Sequence, residues 1–321
     1  MSWRLLAAAT LSVAAGALQA QSSFPSRPIK LVVGFAPAGA ADFVSRTLGE
    51  PLSRALGQPI VIDNRPGAGS SIAAEYVAKS APDGYTLLIA SPSSILVNPL
   101  LMKLGYDAKR DLMPVTKVTS SPLVVAVNPS VGATTLRELI EVAKRQPGKL
   151  NFASSGNGAA PHLAAVLFMK LAGVEMVHVP YKGGGPAVQS VLAGDTQLSF
   201  ATPPAVLPLV QAGRLRALAV TSRNRTPLVP GVPGMEEAGL PDYEISFWYG
   251  FFLPAGTPRE IVQKLHQETS KALALPEVGK ALAKEGTEVS GSKSPEEFAA
   301  FIAEDAKLWT RLVRDSGVKA D

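Results

Sequence analysis

Two segments of the chain have the composition of loops that bind anions through their backbone. They read LVVGFAPAGAAD, residues 31–42, and NFASSGNGAAPH, residues 151–162. In each, an apolar strand-like run leads into a loop of small residues, and an amphipathic helical pattern follows. Small residues let the backbone approach a ligand, and the free N–H groups of a helix N-terminus attract negative charge. The two loops could therefore hold one carboxylate from both sides, although ordinary tight turns share this composition.

The three histidines and one lysine are further candidates. His162 opens the helix after the second loop, where it could donate to a ligand or to its own loop. His178 lies in a strand-like run, which favours a structural role, and we expect His266 on a helix surface. Lys182, in YKGGGP, could attract an anion or simply be solvated. The histidine spacing is not that of metal ligands, and we predict neither a metal site nor a cofactor.

Two rival chemistries lack their motifs. The runs that begin at Gly67 and Gly156 start like GxGxxG, but Ile72 and Pro161 occupy their sixth positions. A dinucleotide site needs that last glycine for close packing of helix and sheet. The serine cluster at residues 91–94 has no GxSxG motif around it, and no acid and histidine form a local triad with it. We therefore predict that the chain is not an enzyme.

Composition favours an exported protein with a small ligand. The chain has no cysteine, which excludes disulfides, thiol nucleophiles, Cys-ligated metals and lipid modification of a cysteine. Its net charge of +5 comes from scattered basic residues, and aromatic residues make up only 6%. A nucleic-acid surface would need clustered basic residues with stacking rings, so we predict no nucleic-acid partner.

Residues 1–20 have the pattern of a secretory signal peptide. Arg4 precedes an apolar run, residues 5–18, and the small residues of ALQA, residues 17–20, offer a cleavage site. The run is short for a membrane span, and polar residues follow it. We predict export with cleavage near Ala20 and no lipid anchor.

Apolar runs and amphipathic segments alternate along the rest of the chain, which predicts an α/β architecture. Most runs are continuously apolar, as in parallel strands covered on both faces. The predicted strands are residues 29–35, 60–64, 85–90, 123–127, 150–153, 176–181, 197–201, 215–220 and 245–253.

Capping patterns predict where helices begin. In three segments an acidic residue lies three positions after a residue with a hydroxyl side chain. They are TLRE at residues 135–138, TPRE at residues 257–260 and SPEE at residues 294–297. The last two helices, residues 258–275 and 295–316, have no obvious strand between them. Pro51 lies inside another helical pattern and predicts a kink or two short helices.

Several long segments, taken in order, resemble one protein family. They are NRPGAGSSIAAEYVAKSAPDGYTLLIAS (residues 64–91), VHVPYKGGGPAVQSVLAGDTQLSF (177–200), ALAVTS (217–222) and FFLPAGTP (251–258). The chain resembles the extracytoplasmic solute receptors of tripartite tricarboxylate transporters, often called Bug proteins, from about Pro25 to Lys319.

This resemblance implies a type II periplasmic-binding-protein fold, in which two α/β lobes joined by two crossing strands enclose a ligand. The crossings would fall near residues 123–127 and 246–253. Lobe one would comprise residues 24–125 and 250–321, and lobe two residues 126–249. The implied function is a monomeric receptor in the periplasm that captures a small carboxylate and delivers it to integral-membrane transporter subunits.

The resemblance also implies a site in which backbone amides, hydroxyls and bridging waters of the two loops hold the carboxylate. Other segments along the cleft would meet the rest of the ligand. The residues expected to contact it are Phe35, Ala36, Ala38, Gly39, Asp42, Ser91, Ser93, Ser155, Gly156, Asn157, Gly158, His162, Tyr181, Lys182, Ala201 and Thr202.

The chain departs from the family pattern at three positions. The family commonly has Pro-Gly-Gly at residues 37–39, and this chain has Ala38 in the middle position. A positive φ at Ala38 would cost about 1 kcal/mol relative to glycine. Ser190 and Ala201 stand where acids are frequent, which disfavours amine ligands and favours plain, partly apolar carboxylates. Two alternatives stay open: a sensor of the same fold that signals to a membrane kinase, and a secreted hydrolase.

Overall fold

The computed structural model describes residues 24–243 and 245–316. The predicted signal peptide, residues 1–20, lies outside this part of the chain. Helices and strands alternate as expected. The strands are β1 (Ile29–Val33), β2 (Ile60–Asn64), β3 (Thr86–Ala90), β4 (Leu112–Pro122), β5 (Val124–Val127), β6 (Asn151–Ser154), β7 (Val177–Pro180), β8 (Leu198–Ala201), β9 (Arg216–Val220), β10 (Ser246–Pro254) and β11 (Glu288–Val289).

The helices connect these strands and cover the sheets. They are α1 (Ala40–Leu56), α2 (Ser71–Ala78), α3 (Asn98–Leu101), α4 (Ala108–Asp111), α5 (Leu136–Arg145), α6 (Ala160–Ala172), α7 (Gly184–Ala193), α8 (Pro203–Gln211), α9 (Arg259–Leu273), α10 (Pro276–Lys284) and α11 (Pro295–Ser316). None of these helices is both long and apolar enough to cross a membrane. α1 runs through Pro51 as one helix, so the alternative of two short helices is wrong.

The strands form two mixed sheets. The first has the order β11-β4-β10-β3-β1-β2, and the second has the order β7-β6-β8-β5-β9. β1 is parallel to β2 and β3, but β10 is antiparallel to β3 and β4. In the second sheet β5 is antiparallel to β8 and β9. The continuously apolar runs indicated parallel strands, and this holds only for part of each sheet.

Two stretches of chain connect the sheets. Only Leu123 separates β4 of the first sheet from β5 of the second, and the chain returns from β9 to β10. β4 and β10 pair along their whole length, from Pro122 opposite Ser246 to Leu112 opposite Pro254. The two connections therefore lie side by side.

The sequence patterns missed β4 and β11. Polar residues and Pro114 interrupt the apolar pattern of β4, LMPVTKVTSSP, although it is the longest strand described. β11 pairs with β4, and it lies with α10 between the last two long helices, where no strand was expected. An interrupted pattern and a two-residue strand give little local signal, since pairing across the sheet decides both.

Two of the three predicted capping patterns are confirmed. The N–H of Glu138 donates to the Thr135 hydroxyl at 3.2 Å, and the N–H of Glu297 donates to the Ser294 hydroxyl at 3.1 Å. The third is wrong, because the Thr257 hydroxyl donates to a backbone carbonyl at the end of β10 at 2.8 Å. α9 therefore begins without a side-chain cap.

The C-terminal helix is fixed to the first sheet by buried aromatic residues. The indole N–H groups of Trp248 on β10 and Trp309 on α11 donate to one oxygen of Asp305, at 2.7 and 2.9 Å. Burial raises the pKa of Asp305. Trp248 also packs edge-on against Phe298, with ring centroids 5.5 Å apart. These contacts fix α11 against β10, the strand at which the second connection enters the first sheet.

Candidate ligand site between the two sheets

A small cavity lies where helix N-termini from both sheets converge. α1 follows β1 of the first sheet, while α6, α7 and α8 follow β6, β7 and β8 of the second. The cavity volume is about 20 Å³. Its lining residues are Phe35, Gly39, Ala40, Ala41, Ser155, Pro161, Gly184, Ala187, Ser199, Phe200, Ala201, Thr202, Phe247 and Tyr249.

The electrostatics of this cavity come from backbone rather than from charged side chains. Among the described residues that line it, none is charged at neutral pH. The first N–H groups of a helix have no intrahelical acceptor, and the helix dipole adds partial positive charge there. The arrangement can therefore hold an anion without arginine or lysine.

The loop before α1, residues 35–39, is held by a buried carboxylate. Asp42 accepts hydrogen bonds from the N–H of Ala38 (3.1 Å), from Arg46 (2.8 and 3.0 Å) and from the amide of Asn64 (3.1 Å). Burial opposes its charge, but the bonds from Arg46, Ala38 and Asn64 outweigh burial and lower the pKa of Asp42. Asp42 thus positions the α1 loop, in which Ala38 has a left-handed φ of 64°.

The loop before α6, residues 154–159, is held by uncharged groups. The N–H of Gly156 donates to the Ser154 hydroxyl at 3.1 Å, and that hydroxyl lies 2.6 Å from Nε2 of His178. The N–H of Gly158 donates to Nδ1 of His162 at 3.2 Å. His162 therefore accepts from its own loop through Nδ1, and donation by His162 to a ligand stays a prediction.

The two histidine rings stack face to face beneath this loop. The centroids of His162 and His178 are 3.8 Å apart and the planes differ by 7°. Burial, and secondly the neighbouring His162, lower the pKa of His178 to about 3, so its ring is neutral at physiological pH. The structural role expected for His178 is supported, and its contact with Ser154 gives that role a location in the site.

The α1 loop and the α6 loop each contact a different segment of the opposite sheet layer. The N–H of Ala36 in the α1 loop donates to the carbonyl of Lys182 at 3.1 Å. A Cβ added to Gly185 would lie 3.4 Å from the Ala38 carbonyl oxygen, so α7 begins directly against the α1 loop. The α1 loop and the α6 loop border one cavity, but the main partner of the α1 loop is the segment that precedes α7.

The α6 loop instead contacts the short segment before α2 and the segment around α3. A Cβ added to Gly158 would lie 2.2 Å from Oδ1 of Asn98, and one added to Gly69 would lie 2.9 Å from the carbonyl oxygen of Asn157. Where α6 begins, the N–H of Ala160 donates to the hydroxyl of Ser93 at 3.0 Å. Glycine is needed at position 158 because its φ is 67° and a side chain would meet Asn98.

Of the residues expected to contact the ligand, five line the cavity: Phe35, Gly39, Ser155, Ala201 and Thr202. The others lie around it. Tyr181 donates its N–H to the carbonyl of Ser154 at 3.0 Å, and the Lys182 side chain is exposed. Ser91 is fully buried, and its hydroxyl has no hydrogen-bond partner among the described residues. Direct ligand contact stays a prediction for all sixteen expected residues, both the five that line the cavity and Ala36, Ala38, Asp42, Ser91, Ser93, Gly156, Asn157, Gly158, His162, Tyr181 and Lys182.

The lining residues that were not expected come from the first turns of helices and from strands β8 and β10. They are Ala40, Ala41, Pro161, Gly184, Ala187, Ser199, Phe200, Phe247 and Tyr249. The first turns follow once the loops are identified, but Phe247 and Tyr249 on β10 carry no local signal of their role. Burial raises the pKa of Tyr249, and the backbone of Ala41 hydrogen-bonds to its hydroxyl.

His266 lies away from this cavity, and its expected exposure is wrong. Its side chain is buried, and Nε2 lies 3.0 Å from the carbonyl oxygen of Ser292. The described residues contain no cluster of three or more His, Cys, Asp or Glu side chains that could hold a metal ion.

Comparisons with known proteins place the chain in a family. Residues 44–318 match the model of the tripartite tricarboxylate transporter family receptor. The chain is 38% identical to protein BugT of Bordetella pertussis over 321 residues, which cover 98% of each protein.

Two solved structures from Rhodopseudomonas palustris are also similar to this chain. One is Rpa4515 with adipate, with a TM-score of 0.87 and 34% identity over 92% of this chain and 99% of that one. The other is MatC with bound malate, with a TM-score of 0.86 and 33% identity over 90% of this chain and 100% of that one. The two-lobe fold expected from the sequence is thereby confirmed. The chain belongs to the family of periplasmic solute receptors of tripartite tricarboxylate transporters.

Proposed function

We propose that this protein captures a small carboxylate between its two sheet layers and delivers it to the membrane subunits of a tripartite tricarboxylate transporter. The observation that carries the proposal is the cavity where the N-termini of α1 and α7 meet, with no charged side chain in its lining. Backbone N–H groups at helix starts can satisfy a carboxylate in such a place. The adipate and malate bound in two relatives support this ligand class.

The proposed mechanism is hinge closure of two lobes, with lobe one formed by residues 24–125 and 250–321 and lobe two by residues 126–249. The adjacent connections through β4–β5 and β10 support this hinge. The bonds from Ala36 to Lys182 and from Ala160 to Ser93 join the opposite layers. Such contacts would form only on closure, so ligand and loop contacts together would favour the closed state.

The proposal includes export, with the signal peptide cleaved near Ala20, and action as a monomer without a catalytic step. The family of periplasmic receptors supports this location, and it is not a family of enzymes. Delivery to the transporter would follow when the closed, loaded receptor docks on the membrane subunits.

Thermal unfolding of the mature protein with a panel of carboxylates tests binding. A carboxylate present at about 100 times its Kd should add about 2.7 kcal/mol to the free energy of unfolding and raise Tm accordingly. The matched primary amides, which lack the charge, should give no shift. If no carboxylate raises Tm, the proposal is wrong.

Delivery is tested separately in cells. Deletion of the gene should abolish uptake of the carboxylate that raises Tm, and a plasmid copy should restore it. Unchanged uptake in the deletion strain would contradict the transport role while leaving carboxylate binding intact.

A further inference from the structure

Prolines remove backbone donors from the helix starts of the second sheet. α8 begins with Pro203 and Pro204, α6 has Pro161 at its second position, and α7 has Pro186 at its third. Proline is favoured in a first helical turn but has no N–H to donate. The first residue of α6, Ala160, already donates its N–H to Ser93. The starts of α6 and α8 are therefore poor in donors for a ligand.

The donors that remain are close together where α1 meets α7. A Cβ added to Gly39 would lie 3.6 Å from the nitrogen of Gly185 and 3.9 Å from that of Gly184. A Cβ added to Gly184 would lie 3.8 Å from the hydroxyl oxygen of Thr202. These backbone and hydroxyl groups form one cluster, which we call the α1–α7 junction.

Apart from the Ser155 hydroxyl, the rest of the lining is apolar or already engaged. Ala187, Ala201, Phe200 and Phe247 contribute hydrocarbon surface and are buried. The Ser199 hydroxyl donates to the carbonyl of Ala153 at 2.9 Å, and the Tyr249 hydroxyl is engaged by the backbone of Ala41. A second carboxylate or an ammonium group placed there would lose its hydration and gain no charged partner, at a cost of several kcal/mol by analogy with other buried charges.

We infer that the ligand is a monocarboxylate with an uncharged, apolar body. Its carboxylate lies at the α1–α7 junction, and its body lies against the aromatic and alanine side chains of the remaining lining. This inference rests on the proposed function and narrows its ligand class. Aromatic walls accept a short alkyl chain or a flat ring in an edge-on or offset arrangement.

Calorimetric titration of the mature protein with two matched sets of ligands tests the inference. Butyrate, succinate and 4-aminobutyrate share a four-carbon chain, and benzoate and phthalate share a ring. We expect butyrate to bind at least about tenfold more tightly than succinate and 4-aminobutyrate, or benzoate to exceed phthalate by the same factor, which is about 1.4 kcal/mol.

The other outcomes of the titration overturn either this inference or the proposed function. If, in the ligand set that binds more tightly, the dicarboxylate binds as tightly as its monocarboxylate partner or more tightly, this inference is overturned and the proposed carboxylate receptor is left intact. Tighter binding of 4-aminobutyrate would do the same. No binding of any member of either set, together with no response to the wider carboxylate panel, would overturn the proposed function itself.

A pair of variants tests the apolar wall from the protein side. Ala201→Asp places a negative charge against the ligand body, while Ala201→Asn adds nearly the same volume without charge. We expect the Asp variant to bind the preferred monocarboxylate at least about tenfold more weakly than the Asn variant, because it buries an unpaired charge. Equal affinities of two folded variants would overturn the inference, and the ligand titration decides it if either variant fails to fold.

Discussion

The α1 loop and the α6 loop have similar composition and similar positions in the fold, but different chemistry holds them in place. A charged network of Asp42, Arg46 and Asn64 fixes the first. Neutral groups, the Ser154 hydroxyl and the stacked rings of His162 and His178, fix the second. In both, the side chains that hold the loop lie outside the lining of the cavity. Similar loops therefore need not share the residues that shape them.

The largest expected effect is at the closest contact of the α6 loop. In Gly158→Val the new side chain would meet Asn98, since a Cβ there would lie 2.2 Å from Oδ1. The loop could then no longer rest against the first sheet layer and close the cavity. We expect affinity for the preferred carboxylate to fall at least about a hundredfold, or about 2.7 kcal/mol, measured by calorimetry.

Gly213→Val is the matched control for backbone strain. Gly213 has a φ of 69°, close to the 67° of Gly158, but no atom lies within 4 Å of its added Cβ. Both variants should lose about 1–2 kcal/mol of stability through the left-handed backbone. Only Gly158→Val should lose binding. An unchanged Kd in that variant would show that the α6 loop is an ordinary turn without a role in binding.

The different chemistry of the two loops predicts that mild acid weakens the α6 loop first. The pKa of His178 is about 3 in the folded protein, against 6.5 for a free histidine, because burial and His162 disfavour its charge. Below pH 6.5, His178 binds a proton in the unfolded chain but not in the folded chain. The stability that the neutral ring contributes is therefore complete above pH 6.5 and is lost as the pH falls toward 3. Because the pKa of Asp42 is lowered, its carboxylate keeps its full contribution to stability until the pH falls to about 3.8, the ordinary pKa of the group.

Urea unfolding at about pH 7 and about pH 5 measures this difference, since His178 but not Asp42 contributes in that window. The stability of the unmodified protein should fall between the two values. His178→Gln keeps a polar group near Ser154 but cannot titrate, so its stability should fall less over the same range. Parallel losses in the two proteins would show that His178 does not carry the acid sensitivity.

The smallest expected effect concerns the α1 loop. Ala38 has a φ of 64°, a conformation that glycine adopts without strain. Ala38→Gly should therefore raise the free energy of unfolding by about 0.5–1 kcal/mol in a denaturant titration. Ala36→Gly is the control, because Ala36 is not among the described residues with positive φ and should gain nothing. A loss of stability in Ala38→Gly would mean that the alanine methyl group contributes packing that exceeds the strain.

Local sequence patterns predicted most of the helices and strands, but not which strands pair with each other. The short β-branched run at residues 60–64 predicted β2 with its observed bounds, and the capping boxes at Thr135 and Ser294 predicted the starts of α5 and α11. β4 was missed because its mixed pattern is stabilised by β10, which lies more than a hundred residues later in the chain. Periodicity records which faces are buried, whereas the neighbour that buries them is a long-range property.

The site divides in the same way. The sequence by itself determined the two small-residue loops, the helices that follow them and, through glycine and proline, where the backbone can approach a ligand and where a donor is missing. Only the tertiary structure decided that the α1 loop meets α7, that Asp42 and His178 hold loops, and that Phe247 and Tyr249 line the cavity. The physical reason is that backbone conformation and donor count are local properties, while a cavity is defined by residues that only the packing of two sheets brings together.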